Sequence, residues 1–515
     1  MLMVNSRVYL NSIVSLDTTS PKQGFDSEPP QTRHSSSAVL ALKASINTLK
    51  MASRKQTKLA FEILSNSDPT SGTRLGRLAV EGRKALETPG FIAVTSRGVV
   101  PHMTPDVIAA HAQFGGVHMA LEDFIEKNNK TTPPILNCPG STSALHTFTA
   151  LPTSLISLLA PRRTPAVTAP NGNANTSISV FTSTGFQVLP NKSYINSIET
   201  LRPDIAVALA DIPYGTTAGQ KRTAKMGDRS GQWLSQLLTD KPDDQPVFAP
   251  VLPIDYQSQW EYLNYIVDDL VDSISGLAFY DSNMIPDIPA TTAMSTLPRL
   301  SLDEPSSPHH ILRQISLGMD IFTIPFINFA TDAGIALTFE FPSPRTPTTS
   351  VSTPHSSILP LGIDMWTPTH STSLLPLSPS CTCYACTSHH RAFIQHLLSA
   401  KEMLGWVLLQ IHNHYTLSTF FTSIRQSIQN GTFENDCEEF ARVYESELPE
   451  KSGQGPRVRG YHFKSEGPGE GKKNKAAWAA DFGSRTNRKE VDVGLVPEEG
   501  AEGLQDKGFA EKVDV

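Results

Sequence analysis

The amino-acid sequence predicts an α/β fold, a TIM-like (β/α)8 barrel built on parallel strands. Short apolar runs alternate with amphipathic stretches from about residue 59 to residue 445. This alternation implies a parallel sheet whose two faces are covered by helices. With 515 residues the chain is long enough to bury a large core. Closure of the strands into a barrel suits the number of runs better than an open sheet does.

Each predicted strand is a short apolar run bounded by polar or turn-forming residues. Residues 260–273 and 309–317 carry apolar side chains at helical spacing and predict helices between these strands. The predicted strands cover residues 91–95, 205–208, 247–253, 276–280, 298–301, 320–324 and 335–339.

The composition predicts long loops and argues against two classes of protein. The 39 prolines indicate long irregular segments, and residues 160–177 and 341–358 are predicted surface loops. A net charge of −7 argues against a strongly basic nucleic-acid coat protein, although a local patch can still bind phosphates. No apolar run reaches the length of a bilayer, so we expect no integral membrane segment.

Both ends of the chain lack the apolar pattern. Residues 1–55 are predicted to be a disordered leader, and their acidic residues argue against a transit segment; Met51 is an alternative start to Met1. Residues 446–515 are predicted to be a flexible charged tail. The favoured interpretation is a solvated charged tail, and RNA binding by its interleaved basic and aromatic residues is the alternative.

A cluster of cysteines is the strongest chemical signal in the sequence. Cys381, Cys383 and Cys386 place three thiols in one short loop, and His412 lies in a later amphipathic stretch. Three thiolates and an imidazole form the tetrahedral site that zinc prefers. Because four protein ligands leave no open position for water, we predict one structural Zn²⁺ per chain.

The alternatives to this metal site are weaker. Five cysteines are an odd and sparse number for a chain of this length, which is not a disulfide framework and is typical of an intracellular protein. Several other histidines compete with His412 for the fourth position. The apolar residues around His412 favour it, because they place it on one face of a helix. The competing histidines are His389, His390, His396 and His414.

The chain resembles the tRNA-guanine transglycosylase family, enzymes that exchange guanine for queuine in the tRNA anticodon. The loop Cys-Thr-Cys-Tyr-Ala-Cys, with His412 at its spacing after Cys386, is similar to the metal signature of that family. Residues 74–78, 88–105 and 298–322 add further landmarks. The resemblance covers roughly residues 56–445.

This resemblance implies a (β/α)8 barrel with a zinc-binding subdomain inserted near its C-terminal end. The expected organisation is a barrel over residues 56–375, followed by a zinc-binding subdomain and closing helices over residues 376–445. The leader and the tail described above would flank these two parts.

The resemblance also indicates where catalytic residues would lie. Family enzymes carry a nucleophilic aspartate directly after Asp-x-Phe, in a segment that ends in Pro-Thr-Arg. Here Thr323 follows Asp320-Ile-Phe322, and Asn328 and Phe329 stand in place of the Thr-Arg pair. A threonine hydroxyl is neutral and is a poor nucleophile without an adjacent base. It supplies no charge to an oxocarbenium-like centre.

Two further family features are missing. An Asp-Ser-Gly-Gly-Phe-Gln run that holds the general acid/base is expected near residues 135–145, but residues 135–144 contain no carboxylate. Residues 276–281 lack the paired glycines that let a purine approach the backbone. We therefore predict that the chain carries no catalytic residues of its own.

The missing residues predict a non-catalytic subunit. The resemblance implies that such a subunit pairs as a heterodimer with a catalytic queuine tRNA-ribosyltransferase subunit and helps to bind tRNA. The resemblance implies a cytoplasmic location, with peripheral association with the mitochondrial outer membrane. One alternative is an autonomous transglycosylase with a displaced carboxylate, although Asp320 is expected to be buried and to point elsewhere. Another is a zinc-stabilised RNA-binding protein. The displaced carboxylates considered are Asp211, Asp281, Asp320 and Asp332.

Overall fold

The computed structural model describes most of the chain between residues 58 and 456. The described ranges are 58–66, 72–125, 132–138, 143–169, 172–182, 185–213, 218–289, 291–343 and 358–456. The predicted disordered leader, most of the predicted loop 341–358 and the predicted tail from residue 457 onward lie outside these ranges.

The strands are numbered in chain order. They are β1 (Leu59–Asn66), β2 (Arg74–Val80), β3 (Leu86–Thr88), β4 (Gly90–Val94), β5 (Gly116–Ala120), β6 (Ile156–Ala160), β7 (Ser177–Thr182), β8 (Gly185–Pro190), β9 (Ile205–Val207), β10 (Val247–Val251), β11 (Gly276–Phe279), β12 (Arg299–Ser301), β13 (Ile321–Thr323), β14 (Ile335–Leu337) and β15 (Gly362–Asp364).

The α-helices are numbered in the same way. They are α1 (Pro105–His111), α2 (Ala144–Thr149), α3 (Asn191–Leu201), α4 (Gln220–Asp240), α5 (Tyr256–Tyr265), α6 (Thr292–Ser295), α7 (Pro308–Ser316), α8 (Phe326–Ala333), α9 (Tyr384–Ser388), α10 (Arg391–Ser399), α11 (Met403–Asn430) and α12 (Phe433–Val443). Short 3-10 turns cover Leu121–Asp123, Pro134–Asn137, Val271–Ser273, Ser282–Asp287 and Pro368–Thr372, and a π-helical turn covers Ile266–Leu270.

Parallel strands close into a barrel, which confirms the predicted fold class. Its strands, counted one to eight, are β4, β5, β6, β9, β10, β11, β12 and β13. The ring closes because β13 pairs with β4, where Ile321 lies beside Gly90. Each strand is followed by at least one helix, as a (β/α)8 barrel requires.

The apolar strands are buried on both faces. Ile92, Leu158 and Phe248 belong to one cluster inside the barrel, whereas Val117 and Leu159 belong to a second cluster that includes the surrounding helices. Neighbouring residues of a strand point to opposite faces, so these positions alternate between the interior and the outer layer. This explains why the strands read as continuous apolar runs rather than alternating ones.

Several strands differ from the predicted set. The second and third barrel strands, β5 and β6, were not among the predicted runs. The predicted strand 335–339 exists as β14, but it pairs antiparallel with β15 outside the barrel. The strands β1, β2 and β3 form a separate antiparallel sheet before the barrel begins.

The region after the barrel has its own core. Buried apolar side chains from β14, α10 and the start of α11 form a cluster that includes Leu377, Ile394, Leu398 and Trp406. Two of the metal-site cysteines belong to the same cluster. The boundaries at residues 375 and 445 stay predictions.

Candidate metal centre and barrel mouth

The structure brings the four predicted metal ligands together. The ligand atoms of Cys381, Cys383, Cys386 and His412 all lie within 4.8 Å of one another. The Nδ1 atom of His412 lies 3.5, 3.6 and 3.4 Å from the Sγ atoms of the three cysteines in that order. Three thiols and one imidazole nitrogen therefore face a common point that could hold a metal ion.

Local chain geometry gathers the three thiols. Cys383 lies directly before α9, and its Sγ atom accepts a hydrogen bond from the backbone N–H of Cys386 at 3.4 Å. The first turn of α9 thus folds Cys386 back toward Cys383. Hydrogen bonds from the thiols of Cys381 and Cys383 lower the pKa of Cys386, which favours a thiolate at this position. Thiolate is the form that binds metal ions.

A strand at the edge of the barrel region orients the imidazole. His412 is fully buried on α11, and its Nε2 atom donates a hydrogen bond to the carbonyl oxygen of Leu337 at 2.8 Å. This bond fixes the tautomer, so that Nδ1 faces the thiols with a free lone pair. The competing histidines do not enter the cluster.

Asn413, the residue after the predicted ligand His412, strengthens the contact between α11 and β14. Asn413 accepts a hydrogen bond from the backbone N–H of Leu337 at 2.9 Å, and its Nδ2 atom donates to the carbonyl oxygen of Ile335 at 3.0 Å. The side chain therefore replaces a strand partner for β14 and fixes α11 against it. Sequence reasoning did not identify Asn413 or Leu337, because their role depends on contacts between distant segments.

Thr323 lies at the C-terminal end of the eighth barrel strand, the end at which such barrels place their chemistry. It points inward, because Ile321 two residues earlier belongs to the interior cluster. Its side chain is fully buried, and its hydroxyl donates to the carbonyl oxygen of Ser301 at 2.9 Å. Asn328 and Phe329 lie on α8, where Asn328 accepts a hydrogen bond from Gln410 and Phe329 is exposed.

Each of the four carboxylates considered above as alternative nucleophiles contacts another side chain or the backbone of the protein. Asp320 is fully buried at the start of β13 and is held by the guanidinium of Arg74, which confirms that it points away from the mouth. Asp281 accepts a hydrogen bond from the backbone of Asn283. Asp332 lies 2.6 Å from the Nε2 atom of His102. Asp211 is described with the mouth below.

Sequence reasoning missed other carboxylates at the barrel mouth. Glu122 and Asp123 follow the second strand, and Asp303 and Glu304 follow the seventh. Each accepts at least one hydrogen bond from a protein donor. Burial raises the pKa of Glu122, and the nearby guanidinium of Arg163 opposes this rise. Residues 135–138 and 143–145, the described part of the region where the family's acid/base run was expected, lie in the connection between β5 and β6.

A cavity of about 1000 Å³ lies elsewhere, between α4 and α5 in the outer ring of helices. Its walls include Gly227, Gly231, Tyr262 and Trp260, and it carries neither the metal ligands nor the mouth carboxylates. Among the described residues, none of the helices combines the length and the apolar composition needed to cross a membrane.

The fold and the metal cluster define a class of protein. The family described as queuine tRNA-ribosyltransferase matches residues 68–446, and the chain belongs to this family. Curated relatives carry the name queuine tRNA-ribosyltransferase accessory subunit 2. The relative from Schizosaccharomyces pombe is 37% identical over 409 residues, which cover 78% of this chain and 88% of that protein.

Animal relatives with the same name are more distant. The relative from Xenopus laevis is 28% identical over 72% of this chain and 96% of its own length. The relative from Ixodes scapularis is 29% identical over 70% of this chain and 94% of its own length. The similarity therefore extends over almost the whole of these relatives.

Proposed function

We propose that this chain is the non-catalytic subunit of a heterodimeric tRNA-guanine(34) transglycosylase, which exchanges guanine for queuine at the wobble position of tRNA. It would pair with a catalytic queuine tRNA-ribosyltransferase subunit and support tRNA binding. Family membership supports this role, as do the relatives named as accessory subunits.

One observation carries the proposal. The metal cluster is complete, whereas the position of the family's nucleophile holds Thr323, a buried hydroxyl that is hydrogen-bonded to Ser301. A base exchange at the ribose needs an ionised carboxylate to take the sugar and stabilise the developing charge. The scaffold is therefore present without a carboxylate at the position of the family's nucleophile.

We further propose that the metal is zinc. A tetrahedral zinc ion lies about 2.3 Å from sulfur and about 2.0 Å from nitrogen, which places the two donor atoms about 3.5 Å apart. The separations of 3.4–3.6 Å between His412 and the thiols fit this value. When bound, the ion would stabilise the fold of the subdomain and supply no catalytic position.

The surface around the metal site supports a role in pairing. Met403 and Leu404 begin α11 with 47% and 46% of their surfaces exposed, and Tyr384 beside the cysteines is 43% exposed. Leu374 and Leu375 are exposed to a greater extent, 75% and 61%. Exposed apolar side chains concentrated in one region are typical of protein interfaces. We propose that this surface contacts the catalytic subunit.

The test is to purify the chain alone, the catalytic subunit alone and the two together, and to assay each for guanine exchange on tRNA. The chain alone is expected to contain zinc and to show no exchange, and the pair is expected to be active. Measurable exchange by the chain alone, or a covalent tRNA adduct on it, would overturn the proposal.

The pairing surface is tested by the variant Met403→Glu, which places a charge among the exposed apolar residues. We expect loss of co-purification with the catalytic subunit while the zinc content stays the same. Val188→Glu is the matched control, since Val188 is 69% exposed but lies on the β7–β8 hairpin. The proposed location, cytoplasmic and peripheral to the mitochondrial outer membrane, rests on the family resemblance.

A further inference from the structure

The chain crosses the mouth of its own barrel. Pro161 directly follows the third strand, and the backbone N–H of Ala166 donates to Glu304, beyond the seventh strand, at 3.0 Å. Strands three and seven are four places apart in a closed ring of eight, so they lie on opposite sides. Five residues in extended form span about 16 Å, enough for such a crossing. Residues 161–169 and 172–182 are called the strap below.

Burial shows that the strap is not an ordinary surface loop. Thr164 and Val167, near its crossing point, keep only 8% and 5% of their surfaces exposed. The proline content had predicted a surface loop over residues 160–177. That prediction is wrong for Thr164 and Val167, which pack against the barrel, whereas residues 174–176 of the same segment are exposed as predicted.

Glu122 is the first anchor of the strap. Its carboxylate is 2% exposed and accepts hydrogen bonds from the backbone N–H groups of Arg163 and Phe181, both at 2.8 Å. The guanidinium of Arg163 bonds the same carboxylate and also lies 2.9 Å from Asp123. One carboxylate at the end of strand two thus holds both the start and the end of the strap.

Asp211, beyond strand four, is the second anchor. It is fully buried and accepts a hydrogen bond of 2.8 Å from the Nδ2 atom of Asn173. The Oδ1 atom of Asn173 in turn accepts from the backbone of Ser179 and from Arg162. Because Arg229 and Arg222 neutralise Asp211 from α4, its charge is already compensated within the protein.

We propose that the strap is an internal closure of the barrel mouth, which excludes a purine base from the place where a barrel of this family would receive it. Glu122 and Asp211 then hold the strap, and neither takes part in catalysis. This inference deepens the proposed non-catalytic function and rests on it. The mouth residues of this chain then serve to hold its own strap, and the catalytic partner is the subunit that binds the base.

Hydrogen–deuterium exchange of the purified full chain tests the closure. We expect slow exchange of the amides of Arg163, Ala166 and Phe181 in the wild type. In Glu122→Gln one carboxylate oxygen becomes an NH2 group that faces a backbone donor, so exchange in the strap should become about tenfold faster. Glu87→Gln, at a half-exposed carboxylate on β3, is the matched control and should leave the strap unchanged.

Asn173→Ala tests the strap from its second anchor and keeps both buried carboxylates in place. It should also speed exchange in the strap, and the result does not depend on whether Glu122→Gln folds. Rapid exchange of the strap in the wild type, or no effect of either variant, would overturn the closure.

Guanine is the probe for exclusion of a base. Equilibrium dialysis of the wild-type chain with guanine should show no uptake at concentrations that saturate the catalytic subunit. Guanine binding by the wild type would overturn the closure and would leave the proposed accessory function intact. Base exchange by the isolated chain would instead overturn the accessory function, so the two failures are distinguishable.

Discussion

The hydroxyl of Thr323 and the carbonyl oxygen of Ser301 are joined by a hydrogen bond of 2.9 Å between the eighth and seventh strands of the barrel. Both residues are fully buried. The hydroxyl proton is therefore engaged with the backbone of the neighbouring strand, and no base lies in this contact to remove it. A side chain that donates suits this position, whereas a carboxylate, which only accepts, does not.

Replacing Thr323 with Asp should therefore fail to create an active enzyme. An ionised carboxylate at this buried position would face the Ser301 carbonyl oxygen and lose its donor, with a cost of about 2 kcal/mol or more in the free energy of unfolding. Urea unfolding of Thr323→Asp and an exchange assay on the isolated variant measure the two expectations.

Thr323→Val is the control, because it keeps the shape of the side chain and removes only the hydroxyl. We expect a smaller loss, about 1 kcal/mol, since the Ser301 carbonyl loses one partner. If Thr323→Asp were as stable as the wild type and carried out base exchange, the hydrogen bond would have no bearing on the missing activity.

The metal cluster gives a second prediction. Cys383→Ser removes one of three thiolates, and serine is a poor ligand for a soft site. Because structural metal binding contributes to folding free energy, the variant should lose its zinc and the region around α9 to α11 should unfold. Metal content by mass spectrometry and near-UV circular dichroism measure these changes.

Cys437→Ser provides the matched control, since Cys437 is a free, half-buried thiol on α12 outside the cluster. It should keep full metal content and the wild-type melting temperature. Full zinc content in Cys383→Ser, together with unchanged binding of the catalytic subunit, would contradict the ligand assignment.

Local sequence signals predicted most of the barrel but not all of it. The strands that follow clear apolar runs, such as β4 and β10, were predicted within two residues of their observed ends. The second strand, β5, contains His118 and two small residues, so its apolar signal is weak. The run that begins at Ile335 has the same composition as a barrel strand, and only its pairing with β15 places it outside the ring.

In the site, too, local features were predictable from the sequence and contacts between distant segments were not. Cys381, Cys383 and Cys386 are close in sequence, so their spacing alone predicted a shared metal ion. The fourth ligand followed from the helical face around His412. The contact of His412 with Leu337 and the bonds between Glu122 and the strap join segments far apart in the chain. No spacing in the sequence encodes such contacts.

The buried side chain of His118 gives the last prediction, which concerns the dependence of folding stability on pH. His118 lies level with Leu158, an interior residue, and therefore points into the barrel, where it is fully buried. Burial lowers its pKa to about 4, against about 6.5 in an unfolded chain. Between these values the unfolded chain takes up a proton that the folded chain does not. Stability should therefore fall as the pH drops from 6.5 toward 4, by about 3 kcal/mol from this group.

His118→Leu should flatten this dependence. At pH 7 the variant should be at least as stable as the wild type, because both ring nitrogens of His118 lack a hydrogen-bond partner among the described residues. Urea unfolding at a series of pH values between 7 and 4 gives the slopes. His396→Leu, at an exposed position on α10, should keep the wild-type slope. Equal slopes for the wild type and His118→Leu would show that another group, such as the buried His414, dominates the acid response.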